Sequence, residues 1–118
     1  MILAIDFDGT CVKNAYPAVG VEMPGCVDVL RRLAKNHKLV LHTARSGERL
    51  DDAVKWFLDR DIPMVLYKPR NGIKIFADIY IDDRGIMPLP KNARGLVDWS
   101  AIERIINRAR IESIYKRL

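Results

Sequence analysis

Apolar residues in this chain fall into short continuous runs that alternate with stretches of helical spacing. Ile2-Leu3-Ala4-Ile5 is unbroken and stops at a carboxylate. Short apolar blocks recur at Leu39-Val40-Leu41, in Met64–Tyr67 and in Ala77–Ile81. Runs of this length suit strands buried on both faces of a parallel sheet. The pattern predicts strands over Ile2–Ile5, Lys38–Thr43, Met64–Tyr67 and Ala77–Ile81. Between and after them, apolar positions recur every three or four residues, as on one face of a helix. Val27, Leu30, Leu33 and Ala34 make the first set. Leu50, Ala53, Val54, Phe57 and Leu58 make the second, and Ile102, Ile105, Ile106 and Ala109 the third.

Local signals set the expected ends. Pro24 suits the first position of a helix running through about Lys35, with Asn36 as its stop. Ser46 is the expected cap of the second helix, with Glu48 in its first turn and Ile62-Pro63 closing it. Ser100 and Glu103 match a capping box for the last helix. Cys11–Met23, Lys68–Gly72 and the Pro88–Pro90 stretch read as irregular connections. Strands alternating with helices imply right-handed crossovers. The expectation is a three-layer α/β/α Rossmann-like parallel sheet, one domain over 1–118, with no cap domain.

Composition changes this picture little. Apolar residues make up 49% and charged residues 30% of 118 positions, which is ordinary for a globular domain. Cys11 and Cys26 form no metal pattern and read as reduced thiols of a cytoplasmic protein. No apolar run is long enough to span a bilayer, and Asp6 interrupts the N-terminal one, so neither a membrane partner nor a signal peptide is expected. Charge is uneven: residues 91–118 carry seven Lys/Arg against three Asp/Glu, within a net charge of +5. A basic segment of this kind is either a solvated helix face or an anion-binding surface.

The polar residues of interest follow strands: Asp6 and Asp8, Thr43 and Arg45, Lys68, Asp82 and Asp83. In an open parallel sheet, ligands gather beyond the carboxyl ends of the strands. Asp6 and Asp8 alternate to one side of the chain while Phe7 points back into the protein. Close carboxylates repel unless a cation lies between them, and oxygen-only ligands favour Mg2+ over Zn2+. Carboxylates, a hydroxyl, a Lys and Mg2+ together suit phosphoryl transfer. One carboxylate can attack phosphorus, and a second can serve as acid and then base.

Asp6-Phe7-Asp8-Gly9-Thr10 resembles the first motif of the haloacid dehalogenase superfamily in its phosphatase form. Thr43 at a strand end resembles the second motif. A Lys followed by a strand ending Ile81-Asp82-Asp83 resembles the third and fourth. The likeness covers residues 2 to about 84. It implies that Asp6 is the nucleophile and a metal ligand, and that Asp8 is the general acid/base and gives its backbone carbonyl to the metal. Thr43 would bind phosphoryl oxygens. Asp82 would hold Mg2+ directly, with Asp83 acting through water or from behind it. Lys74, eight residues before Asp82, is favoured over Lys68 as the phosphoryl lysine. Gly9, Thr10, Ala44, Arg45 and Lys68 would surround the substrate. Thr43-Ala44-Arg45-Ser46-Gly47 and Ile81-Asp82-Asp83-Arg84 are also similar to the phosphatase half of phage-type polynucleotide kinase/3′-phosphatases, where an Arg at the place of Arg45 helps bind phosphate. No GxxxxGK[ST] loop accompanies it, so no kinase half is implied.

The implied substrate is a small phosphate ester, a nucleotide or a nucleic-acid 3′-phosphate, at an open site that a second subunit could close. Plainer readings stand beside these. Arg45 would neutralise a carboxylate; His42 would be a packed core residue and His37 an exposed one. Trp56 and Trp99 would be core. The whole chain could be a non-catalytic binding protein of the same fold, or a signalling receiver, whose acceptor Asp would end the third strand.

Overall fold

The structure is a computed structural model that describes residues 1–66, 76–84 and 89–116, with side chains to Glu112. Four parallel strands, β1 (Ile2–Ile5), β2 (Lys38–Leu41), β3 (Val65–Leu66) and β4 (Ile79–Ile81), form a sheet in the order β3-β2-β1-β4. Helices α1 (Cys26–Leu33), α2 (Gly47–Asp59) and α3 (Trp99–Lys116) complete the expected Rossmann-like α/β/α fold.

β1 is central because it can be buried on both faces. Leu3, Ala4 and Ile5 are all fully buried, and each aliphatic side chain taken out of water adds about 1.5–3 kcal/mol. Leu3 and Ile5 stand in register with Leu39, Leu41 and Ile81. These residues share one hydrophobic cluster with Leu30 of α1, Phe57 of α2 and Ile106 of α3. Ala4 and Val40, on the other face, are buried as well. Phe7 points inward and packs edge-on against Trp56 and Phe57.

Several boundaries differ from expectation. α1 begins at Cys26 rather than Pro24, because Gly25 before it takes a left-handed conformation and turns the chain. Ser46 caps α2, but through its backbone position, with no side-chain hydrogen bond. The Ser100–Glu103 capping box does not form. α3 starts at Trp99, two residues before the start that a Ser100 cap implies, and Asp98 Oδ1 accepts the Ala101 N–H at 3.0 Å. Glu103 turns instead to Arg32, at 2.8 Å. β3 is a two-residue edge strand, narrower than the predicted Met64–Tyr67, and Tyr67 lies outside the described residues. Leu58 and Ile105, expected in the helix stripes, are exposed. His37 is buried rather than exposed, with Nδ1 3.2 Å from the Met1 amino group. Burial and that ammonium hold its pKa below the usual value. Trp56 and Trp99 are core residues as expected.

Between β1 and α1 the chain doubles back on itself. Val12 pairs antiparallel with Glu22, and the Lys13 N–H donates to the Val21 carbonyl at 2.7 Å. Gly20 permits this turn-back, since a Cβ there would strike the Lys13 carbonyl. The resulting flap brings the Tyr16 ring against the Arg45 guanidinium.

Candidate functional site

β1 has β2 on one side and β4 on the other, so the strand order reverses between β1 and β4. Such a reversal opens a crevice at the carboxyl ends of the strands. Ile5 and Ile81 are register partners, and the Asp6 N–H donates to the Ile81 carbonyl at 2.9 Å. One residue further, Asp6 and Asp82 leave the sheet side by side. Carboxylate oxygens of Asp6, Asp82 and Asp83 lie within 4.8 Å of one another. Arg84 N–H to Asp82 Oδ1, at 2.9 Å, turns the chain just past β4. Gly9 lets Asp83 in: its φ is +80°, and a Cβ there would collide with Asp83 Oδ2.

The cluster is under electrostatic strain. Burial, and after it the charges of Asp82 and Asp83, push the Asp6 carboxyl up to about 7, against the lowering effect of the Phe7 N–H. Asp83 Oδ1 is buried with no hydrogen-bond partner among the described residues. A divalent cation would relieve both conditions, and three carboxylates offer it the hard oxygen donors it needs. Thr10 supports this arrangement from beneath. It is fully buried, so it cannot touch a substrate as the motif implied. Its hydroxyl donates to Asp6 Oδ2 at 3.2 Å, and its carbonyl accepts Trp99 Nε1–H at 3.0 Å. Cys11 Sγ adds a contact of 3.3 Å to the Asp6 carbonyl.

The Asp8 side chain stands apart from this cluster. Arg45 Nε and Nη2 reach its two oxygens, each at 2.7 Å. The other three N–H groups of Arg45 go to the carbonyls of Pro17, Ala18 and Arg49. All five donors of this buried guanidinium are therefore used, and none is left for a phosphate. The expected phosphate-binding role gives way to the plainer reading, neutralisation of a carboxylate. The hydrogen bonds to Asp8 hold the Arg45 pKa above its usual value. Its guanidinium also lies 5.2 Å from the ring centres of Phe7 and Tyr16. Thr43 Oγ1 accepts the Arg45 backbone N–H at 3.2 Å, which leaves its own proton to donate.

Around these groups opens a cavity of about 690 Å3, lined by Asp6, Asp8, Thr43, Ala44, Arg45 and Asp82. Asn14, Tyr16, His42 and Arg84 line it too. Pattern reasoning missed Asn14 and Tyr16, because nothing near them signals a strand end. His42 is half-exposed at the cavity and packs edge-on against Tyr80, so it is not the core residue expected. Lys68 and Lys74 lie outside the described residues. None of the described residues of the basic segment lines the cavity. Arg110 acts on His37, which pairs with Met1 at the start of β1, the end opposite Asp6. The strand order also sets the chain apart from receivers, in which β3 sits beside β1.

Among the described residues, no helix is long and apolar enough to cross a membrane. No family model and no curated protein matches the chain. A solved structure of a conserved protein coded by a locus from Bacteroides thetaiotaomicron is similar to it. The two are 36% identical over 92% of this chain and 91% of the other, with a TM-score of 0.75.

Proposed function

We propose that this chain, which belongs to the same family as the conserved Bacteroides thetaiotaomicron protein, is a Mg2+-dependent phosphomonoester hydrolase of the haloacid dehalogenase type. One observation carries the reading. Asp6, Asp82 and Asp83, from two neighbouring strand ends, bring carboxylate oxygens within 4.8 Å of one another at the crevice of a parallel sheet. Asp83 Oδ1, buried with no partner among the described residues, fits the same reading.

Asp6, Asp82 and Asp83 would hold the ion. When bound, it supplies positive charge to the phosphate and keeps Asp6 ionised. Asp6 then attacks phosphorus. An oxygen–phosphorus bond to Asp6 forms as the bond to the leaving alcohol breaks, and Asp8, which must first take up a proton from solvent within its ion pair with Arg45, gives that proton to the alcohol. In the second half, water attacks the aspartyl-phosphate, Asp8 takes a proton from it, and Asp6 is regenerated with release of phosphate. The Arg45 fork uses one lone pair of each Asp8 oxygen and leaves another for this proton. Thr43 donates its hydroxyl to a phosphoryl oxygen. Lys74 is the proposed partner of the phosphoryl charge.

The test is phosphate release from simple esters. Activity should require Mg2+, stop with EDTA and return when Mg2+ is restored. Full turnover in EDTA, or turnover by Asp6→Asn, would overturn the proposal.

A further inference from the structure

Most polar groups lining the cavity are already committed. Asp6 and Asp82 belong to the carboxylate cluster. Asp8 and Arg45 satisfy each other, and Thr43 is held by the Arg45 N–H. Among the described residues, recognition beyond the phosphate is left to Asn14, Tyr16, His42, Ala44 and Arg84. This remainder combines the amide of Asn14 and the guanidinium of Arg84 with two flat rings, those of Tyr16 and His42.

Tyr16 is the clearest of these. The residue is 58% exposed, yet its ring has a fixed neighbour. The Arg45 guanidinium sits over one face of the ring, 5.2 Å from its centre, and Arg45 is itself fixed by five hydrogen bonds. The Tyr16 N–H is also tied to Asn14 Oδ1, at 3.2 Å. A ring backed by a cation on one face offers its other face for stacking. His42 is held in a similar way, edge-on to Tyr80 at 5.8 Å between ring centres. The Asn14 amide keeps its N–H donors. A cavity of about 690 Å3 exceeds what a phosphate group requires and falls within the range that holds a drug-sized ligand.

From this inventory we infer that the ester cleaved here carries a nucleobase close to its phosphate, stacked on Tyr16 and flanked by His42. The inference rests on the phosphomonoesterase reading and names its substrate class. A free nucleotide and the phosphorylated end of an oligonucleotide share this chemistry.

The experiment compares kcat/KM, in Mg2+, for ribose 5-phosphate, adenosine 5′-monophosphate, adenosine 3′-monophosphate and a trinucleotide with a 3′-phosphate. The first two share the ribose phosphate and differ in whether a base or a hydroxyl occupies the anomeric carbon. At least one base-bearing ester should exceed ribose 5-phosphate by about tenfold, the scale of one base stacked on one aromatic ring. Whichever base-bearing ester leads identifies the source. Tyr16→Ala should cut that ratio by about tenfold, and Tyr16→Phe, which keeps the ring, should preserve it. His42→Ala should lower it less. Ratios near one in the unaltered protein would overturn the inference, as would a ratio unmoved by both Tyr16→Ala and His42→Ala. If Asp6-dependent release from ribose 5-phosphate persists in that case, the phosphatase reading survives alone. Release from none of the esters overturns both.

Discussion

Arg45 grips Asp8 through two hydrogen bonds of 2.7 Å across 37 residues of sequence, with the Arg45 side chain 1% exposed. The same guanidinium ties down the flap at Pro17 and Ala18 and the first turn of α2 at Arg49. It therefore positions the carboxylate proposed as acid and base and the rim of the cavity together.

Replacing Arg45 with Ala strands the Asp8 charge in a mostly buried place, which should cost about 3 kcal/mol of stability in denaturant titration. Arg45→Lys keeps the charge but cannot form the fork. It should lower kcat with little change in KM, because Arg45 has no donor left to bind phosphate. A rise in KM with kcat intact would restore the phosphate-binding role.

Asp6 links stability to pH. Its carboxyl sits at about 7 in the folded chain, against an ordinary 3.8. Between those values the native state holds a proton that the unfolded chain has lost. Stability of the metal-free protein should therefore fall as pH rises through that window. Asp6→Asn should remove this slope and raise the melting temperature of metal-free protein at neutral pH. Mg2+ should stabilise the unaltered protein, and more so at higher pH. Thermal melts across that window, with and without Mg2+, provide the check.

Gly9 makes room for the third carboxylate. Gly9→Ala places a methyl group on Asp83 Oδ2 and forces a left-handed φ on a residue with a side chain. Strain of this kind costs about 1–3 kcal/mol. The larger effect should fall on the metal. Calorimetric Mg2+ binding should weaken by tenfold or more, as Asp83 is pushed out of the cluster.

The parts of this molecule written in local sequence were legible, and the parts built by distant contacts were not. Ile2–Ile5 could only be a buried strand, and a carboxylate at its end had to emerge at the sheet edge. The same reasoning located Asp82 past β4. The choice between two roles for Arg45 stayed open, because its partners come from three separate segments. The start of α3 was misplaced for a related reason. Ser100 and Asp98 can both cap a helix, and the sequence pattern favoured Ser100. The observed start puts Trp99 in the first turn, where its indole reaches the Thr10 carbonyl. Tyr16 belongs to a stretch without periodicity, and its place at the cavity follows from the flap that Val12 and Glu22 close.

That indole bond yields a last prediction. Trp99 is 1% exposed, and Nε1 donates to the Thr10 carbonyl at 3.0 Å. The Thr10 hydroxyl holds Asp6 Oδ2 in turn. Trp99→Phe keeps an aromatic ring in the core but leaves a buried carbonyl without its donor, which costs about 1–3 kcal/mol. Because the carbonyl belongs to the residue that orients the proposed nucleophile, kcat should fall several-fold with KM nearly constant. Trp56→Phe is the control. Trp56 packs against Phe7, Phe57 and Arg60, and its indole makes no hydrogen bond to Thr10 among the described residues. It should lower stability to a similar degree and leave kcat closer to that of the unaltered protein. Equal losses of kcat in the two variants would mean that Trp99 acts through general core stability rather than through Thr10 and Asp6.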